Sequence, residues 1–169
     1  MKALTESPTP DIARDDPDHL AGYLDLLSMI ERLHRLLLDV IKDEFERLAI
    51  LDINAVQALL IFNVGENEVT AGELKTRGYY QGSNVSYNLK KLVEAGYMHH
   101  EKCHVDRRAV RVSLTDKGRK ISAIVAELFR DQAHDLQSKS RLGDVSQEEL
   151  NTALRRLERY WADRIRYIY

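Results

Sequence analysis

Two adjacent arginines, Arg107 and Arg108, follow Asp106 in a polar segment between two stretches that alternate apolar and polar residues. The alternation predicts strands over 97–103 and 109–114, with residues 104–108 as the tip of a β-hairpin. A guanidinium group binds phosphate through two parallel hydrogen bonds, and the Asp106 carboxylate would orient Arg108. Such a tip can reach a narrow minor groove or the phosphates beside it, although the same charges alone would also suit a solvated loop.

A second set of polar side chains lies on a helix predicted over 83–95 and stopped by Gly96. Its apolar residues recur at helical spacing on one side, and its other side carries no acid until Glu94. Short hydrogen-bonding side chains with a tyrosine and lysines suit a helix in the DNA major groove, while a solvated surface helix is the alternative. Together with the hairpin, this helix gives the predicted DNA-contacting residues, which are Ser83, Asn84, Ser86, Tyr87, Lys90, Lys91, Asp106, Arg107, Arg108 and Arg111.

The element before this helix is predicted to be a short helix over 71–77. Thr70 can cap it, Glu73 supplies the partner of a capping box, and Gly78 ends it. Two short helices followed by a hairpin make a helix-turn-helix with a wing, and Val69 can add a short strand to that wing.

This segment resembles the MarR (multiple antibiotic resistance regulator) family of bacterial winged-helix repressors. The most specific part is Asp106-Arg107-Arg108 followed by the spacing V-x-L-T-x-x-G-R. The remaining matches are Glu73-Leu74, Ser83-Asn84-Val85-Ser86, and Leu92 with Gly96. The resemblance implies that the second helix reads DNA, that the wing tip enters the minor groove and that flanking helices build a homodimer. It also implies a small-molecule effector, in a cavity that His34, Leu38 and Phe62 would line, although a histidine on an apolar helix stripe is more often a core or interface residue.

The chain departs from the family pattern in two places. Gly78-Tyr79 replaces the usual Leu-Gly, and Lys90 stands where many members carry Asp. Both changes bear on which operator is read. The whole chain also resembles an alphaproteobacterial branch thought to control cell-wall L,D-transpeptidase genes, a target that no residue here demonstrates.

Charge is unevenly distributed along the chain. The formal net charge is −2, yet residues 1–70 hold 6 basic and 14 acidic residues, whereas residues 71–120 hold 11 basic and 5 acidic ones. The positive charge therefore falls on the predicted winged segment, where it attracts a polyanion while the acidic part repels it.

Other classes of function find little support. We find no phosphate-binding glycine loop, nucleophile elbow or paired Cys and His at metal spacing, so neither an enzyme nor a cofactor is predicted. His99, His100, Cys103 and His104 lie close in sequence, but adjacent strand residues point to opposite faces, and we expect no metal site. A single cysteine, no apolar run of membrane-spanning length and no signal peptide predict a cytoplasmic protein.

The flanks predict dimerisation elements. Residues 1–16 read as a mobile arm, 17–50 as a dimerisation helix, 51–119 as the winged domain and 120–169 as C-terminal dimerisation helices. The first helix carries an apolar stripe longer than a small domain needs, and the last, capped by Ser146 with Glu149, carries another. The predicted interface residues are Leu24, Leu27, Leu157, Trp161 and Ile165.

The sequence therefore predicts a mainly α-helical, winged helix-turn-helix homodimer that binds duplex DNA at a pseudo-palindromic operator. We expect a ligand-responsive transcriptional regulator, a repressor by resemblance. The alternative is a winged-helix module that contacts protein without sequence-specific DNA binding.

Overall fold

A computed structural model describes residues 17–76, 82–102 and 110–166. The predicted wing tip, including Asp106, Arg107 and Arg108, lies outside these ranges, as do Cys103, His104 and the predicted arm over 1–16. The described residues form helices and a small antiparallel sheet, as predicted for a mainly α-helical winged fold. They fall into two compact units, divided between Ala55 and Val56.

The first unit is dominated by one long helix, α1 (Pro17–Arg47). The helix ends where Ala49 takes a left-handed conformation (φ 55°) and the Ile50 N–H donates to the Phe45 carbonyl at 2.9 Å. A glycine is commoner at this position, but the hydrogen-bond pattern is the usual one for a helix end. Ile41 and Phe45 are buried near this end, while most apolar side chains further toward the N-terminus are exposed.

Helix α2 (Ala55–Val64) follows, and all of it after Ala55 belongs to the second unit. Asn54, a residue type preferred at N-caps, immediately precedes it. The fully buried residues of α2 are Ala58, Leu60, Ile61 and Val64. Helix α2 is apolar on all sides, so its sequence has no periodicity from which to choose a buried face.

Two short helices follow, α3 (Ala71–Thr76) and α4 (Gly82–Glu94). The predicted capping box of α3 is confirmed, because the Glu73 N–H donates to Thr70 Oγ1 at 3.1 Å and the Thr70 N–H donates to Glu73 Oε2 at 2.5 Å. Helix α4 agrees with the predicted bounds to within one residue, whereas the predicted end of α3 at Gly78 lies outside the described residues.

The wing is a three-stranded sheet of β1 (Val69–Thr70), β2 (Met98–Lys102) and β3 (Val110–Leu114) in the order β1-β3-β2. Val69 pairs with Val112, which confirms the predicted short strand, and Met98 pairs with Leu114. Val112 and Leu114 are buried on one face of β3. The sheet and α4 therefore share one apolar core.

Two longer helices complete the second unit, α5 (Asp116–Ser138) and α6 (Gln147–Arg166). Helix α5 ends at Ser138, and Lys139 forms its C-cap. The predicted capping box of α6 is confirmed, because the Glu149 N–H donates to Ser146 Oγ at 3.1 Å. Hydrogen bonds from Ser146 to the Glu149 carboxylate lower the pKa of that group.

Candidate nucleic-acid interface

Helix α4 is buried along one side and exposed along the other. Val85, Leu89 and Leu92 are buried in the core of the second unit, with at most 6% of any side chain exposed. On the opposite side the exposed residues are Asn84, Ser86, Tyr87, Lys90 and Lys91. Ser83 belongs to the first turn of the same helix. The structure therefore brings together the residues of this helix that were predicted to contact DNA.

The exposed side of α4 mixes hydrogen-bonding and cationic groups. Tyr87 is 62% exposed. The Lys91 ammonium lies 5.9 Å from the centroid of its ring, close enough for a weak cation–π attraction. The Asn88 side-chain amide donates to the Asn84 backbone carbonyl at 2.9 Å, and Asn84 itself is exposed.

Glu94 forms ion pairs with two lysines at the C-terminal end of α4. Its carboxylate lies 3.8 Å from the Lys90 ammonium and 3.6 Å from that of Lys91. Ion pairs this exposed contribute little to stability. A phosphate can therefore replace Glu94 as the partner of either lysine at little cost.

Arg111 lies on β3, the central strand of the wing, opposite Thr70 and Glu101. It is half-buried, so it presents less of its side chain to solvent than the lysines of α4. The predicted contacts Asp106, Arg107 and Arg108 lie outside the described residues.

The histidines of β2 do not assemble a metal site with other described residues. His99 and His100 are exposed and face Ser113 and Val112 across the sheet. Within 17–76, 82–102 and 110–166, no three His, Cys, Asp or Glu side chains lie close enough together to hold a metal ion.

The predicted ligand-cavity residues occupy both compact units. His34 is exposed and Leu38 half-buried, one turn apart on α1 in the first unit. Phe62, on α2 in the second unit, packs edge-to-face on Phe129 with ring centroids 5.2 Å apart. This contact gives Phe62 a packing role within its own unit.

Apolar surface is exposed on the predicted dimerisation helices. Leu24 is 52% exposed on α1 and Ile165 is 62% exposed on α6, while Leu27, Leu157 and Trp161 are half-buried. No described residue of α6 is buried. Helix α1 also exposes a second stripe at steps of three and four residues, which sequence reasoning missed, formed by Leu26, Met29, Leu33, Leu36 and Val40.

The comparisons with known proteins agree with this geometry. Residues 53–118 match a family described as a winged helix DNA-binding domain. The chain is 35% identical over 162 residues to the exopolysaccharide II synthesis transcriptional activator ExpG of Rhizobium meliloti (strain 1021), covering 94% of this chain and 81% of that protein. A MarR transcriptional regulator from Methanosarcina mazei Go1 superposes with a TM-score of 0.61 at 19% identity, over 84% of this chain and 97% of that one. The chain belongs to the MarR family.

As a MarR-family protein, it is a transcriptional regulator with a winged-helix DNA-binding domain and not an enzyme. Streptococcus pneumoniae FabT, solved in complex with DNA, shares the fold with a TM-score of 0.59 at 21% identity, over 83% of this chain and 98% of that one. Among the helices of this MarR-family chain that the structure describes, none is long and apolar enough to span a bilayer.

Proposed function

We propose that the protein acts in the cytoplasm as a homodimer that places α4 of each protomer in the major groove of a pseudo-palindromic operator. The observation that carries this proposal is the two-sided character of α4. Its apolar side is buried, and its exposed side offers Asn84, Tyr87 and two lysines. Amide and phenol groups can hydrogen-bond to base edges, while ammonium groups beside them neutralise phosphates.

Exposed apolar surface supports the dimer. In a single chain, α1 leaves Leu24 and Leu33 more than half exposed, and α6 buries none of its described residues. Continuous apolar faces of this kind on water-soluble helices mark interfaces. A two-fold dimer presents two copies of α4, which matches the symmetry of a pseudo-palindrome.

The base-reading role of α4 can be tested with Asn84→Ala. We expect the preferred bases at one position of each half-site to relax, with a loss of about 1 to 3 kcal/mol on selected sites and little change on random duplexes. Selection from a random duplex library, followed by titration of selected and scrambled duplexes at several salt concentrations, measures both effects. An equal loss on all sequences would assign Asn84 to phosphate contacts.

Glu94→Gln is the matched control for Asn84→Ala. The substitution removes the carboxylate that pairs with Lys90 and Lys91, so both lysines become free to contact phosphates. Affinity should rise on selected and scrambled duplexes alike, with unchanged base preference. A change in base preference for Asn84→Ala but not for Glu94→Gln would distinguish the reading of bases by α4 from its attraction to phosphates.

Ligand modulation is the second part of the proposal, with His34, Leu38 and Phe62 as the cavity residues. A ligand that binds one arrangement of the protein better than another shifts the population toward it and so changes DNA affinity. For a compound shown to alter DNA binding by the wild type, replacing all three residues by Ala should abolish that response while DNA binding persists. A response that survives the triple substitution would place the cavity elsewhere.

The direction of regulation follows from where the operator lies relative to the promoter. Resemblance favours a repressor, whereas the relative ExpG is named as an activator of exopolysaccharide II synthesis. Control of cell-wall L,D-transpeptidase genes stays a prediction of the same kind. A reporter fused to the selected operator, with and without the protein, distinguishes repression from activation.

A further inference from the structure

Helix α4 ends at a glycine. Gly96 adopts a left-handed φ of 76°, its N–H donates to the Val93 carbonyl at 3.0 Å, and the Tyr97 N–H donates to the Leu92 carbonyl at 2.9 Å. In this pattern the carbonyls of Leu92 and Val93 accept hydrogen bonds and are satisfied within the helix end. The carbonyls of Ala95 and Gly96 lie beyond it and need donors from outside the helix.

Those donors come from the first turn of α5. The Thr115 hydroxyl donates to the Gly96 carbonyl at 2.7 Å and accepts from the Gly118 N–H at 3.1 Å, so one side chain caps α5 and binds the end of α4. The Lys117 ammonium donates to the Ala95 carbonyl at 3.2 Å. The negative end of the α4 dipole also stabilises a cation at this place.

The backbones at this junction are in close contact. The Thr115 N–H donates to the Tyr97 carbonyl at 3.1 Å, and a Cβ built on Gly118 would lie 2.2 Å from the same oxygen. Tyr97 is buried, and the Lys117 ammonium lies 3.9 Å from its ring centroid. The segment 95–97 is therefore fixed between α4 and α5 by contacts on both sides.

We propose that Thr115 and Lys117 are positioning residues that fix the orientation of α4 on α5, and through it the angle at which α4 enters the groove. The inference rests on the proposed DNA-reading role of α4. Because the end of α4 is bonded to the first turn of α5, a displacement of α5 carries α4 with it and is not absorbed by the connecting segment. Neither residue needs to touch DNA to act in this way.

Lys117 has a competing explanation, because it belongs to the basic segment over 71–120 and could instead contact a phosphate. The two roles predict different salt dependence. Losing a phosphate contact lowers affinity on every sequence and reduces the slope of log K against log salt by about one. Losing a positioning contact lowers affinity for the selected site alone and leaves that slope unchanged.

The experiment uses the full-length protein, a duplex selected by the wild type and a scrambled duplex of equal length. Lys117→Met keeps the aliphatic stem and removes the ammonium, whereas Thr115→Val keeps the shape and removes the hydroxyl. We expect each to weaken binding to the selected duplex by about three- to ten-fold, the scale of one hydrogen bond, with scrambled-duplex affinity unchanged. Thr115→Ser retains the hydroxyl and should restore the wild-type ratio of selected to scrambled affinity.

Lys120→Met is the matched control, since it removes the same charge from an exposed position one turn further along α5. It should leave the ratio of selected to scrambled affinity unchanged. The inference is overturned if Lys117→Met lowers both affinities equally with a flatter salt slope, or if both Lys117→Met and Thr115→Val keep the wild-type ratio. A wild type that binds selected and scrambled duplexes equally would instead reject the proposed function itself.

Discussion

Gly118→Ala should destabilise the protein by about 3 kcal/mol and lower its melting temperature by roughly 6 to 12 °C. The added Cβ would lie 2.2 Å from the Tyr97 carbonyl oxygen and 3.2 Å from its carbonyl carbon. Both are backbone atoms of a buried residue, so neither can turn away as a flexible side chain would. The junction between α4 and α5 must then open, with loss of the Thr115 hydrogen bonds. Thermal or denaturant unfolding measures the effect.

Gly22→Ala is the matched control and should change stability in the opposite direction. Gly22 lies within α1, and a Cβ added there meets nothing within 4 Å. Alanine is favoured over glycine in a helix interior by about 1 kcal/mol, so this variant should be slightly more stable than the wild type. If Gly118→Ala were as stable as Gly22→Ala, the close approach of α5 to Tyr97 would be wrong.

The elements around α4 could be predicted from sequence because their signals are local. Thr70 and Glu73 form the capping box that their spacing predicts, and Gly96 ends α4 as a residue tolerant of positive φ should. Alternation placed β2 and β3 to within one residue. The exposed side of α4 followed from the periodicity of Val85, Leu89 and Leu92.

The junction and the second stripe of α1 were missed for different reasons. Thr115 and Gly96 are 19 residues apart, and no local pattern shows that the hydroxyl of one binds the carbonyl of the other. Lys117 and Ala95 are 22 residues apart, and no local pattern shows that the ammonium of one binds the carbonyl of the other. On α1, the stripe that includes Leu24 and Leu27 covers one side of the helix, and the stripe that includes Leu33, which is 57% exposed, lies on another side. A helix with apolar stripes on two sides can pack against a different surface on each side, and a search for one apolar stripe finds only one of them.

Removal of residues 146–169 should convert the protein into a monomer or an aggregate that has lost specific DNA binding. Helix α6 buries none of its described residues within one chain, so a monomeric protein would lose little of its own core. In a dimer the same deletion removes the apolar face that includes Leu154 and Ile165 and exposes its counterpart on the partner. Sedimentation or light scattering reports the mass, and titration with full-site and half-site duplexes reports the affinity.

The size of the loss follows from how DNA is read. One recognition helix contacts only a few base pairs, whereas two held about one helical turn apart read both half-sites together. Affinity for the full site should therefore fall by roughly a thousand-fold or more, toward that of non-specific DNA, and approach the affinity for a half-site. The melting temperature of the wild type should rise with protein concentration, and that of a truncated monomer should not.

A point substitution separates loss of the interface from loss of the helix. Leu154→Asp places a charge on the apolar side of α6, at a side chain 46% exposed in one chain, and Thr152→Asp places the same charge on the exposed opposite side. Both residues lie within α6, so both variants should fold as monomers equally well. Only Leu154→Asp should dissociate the dimer, because a carboxylate buried against an apolar partner has no compensating charge. If Leu154→Asp and the truncated protein both stayed soluble dimers with full operator affinity, α6 would not form the interface, and the exposed stripe of α1 would remain to hold the two reading helices at a fixed spacing.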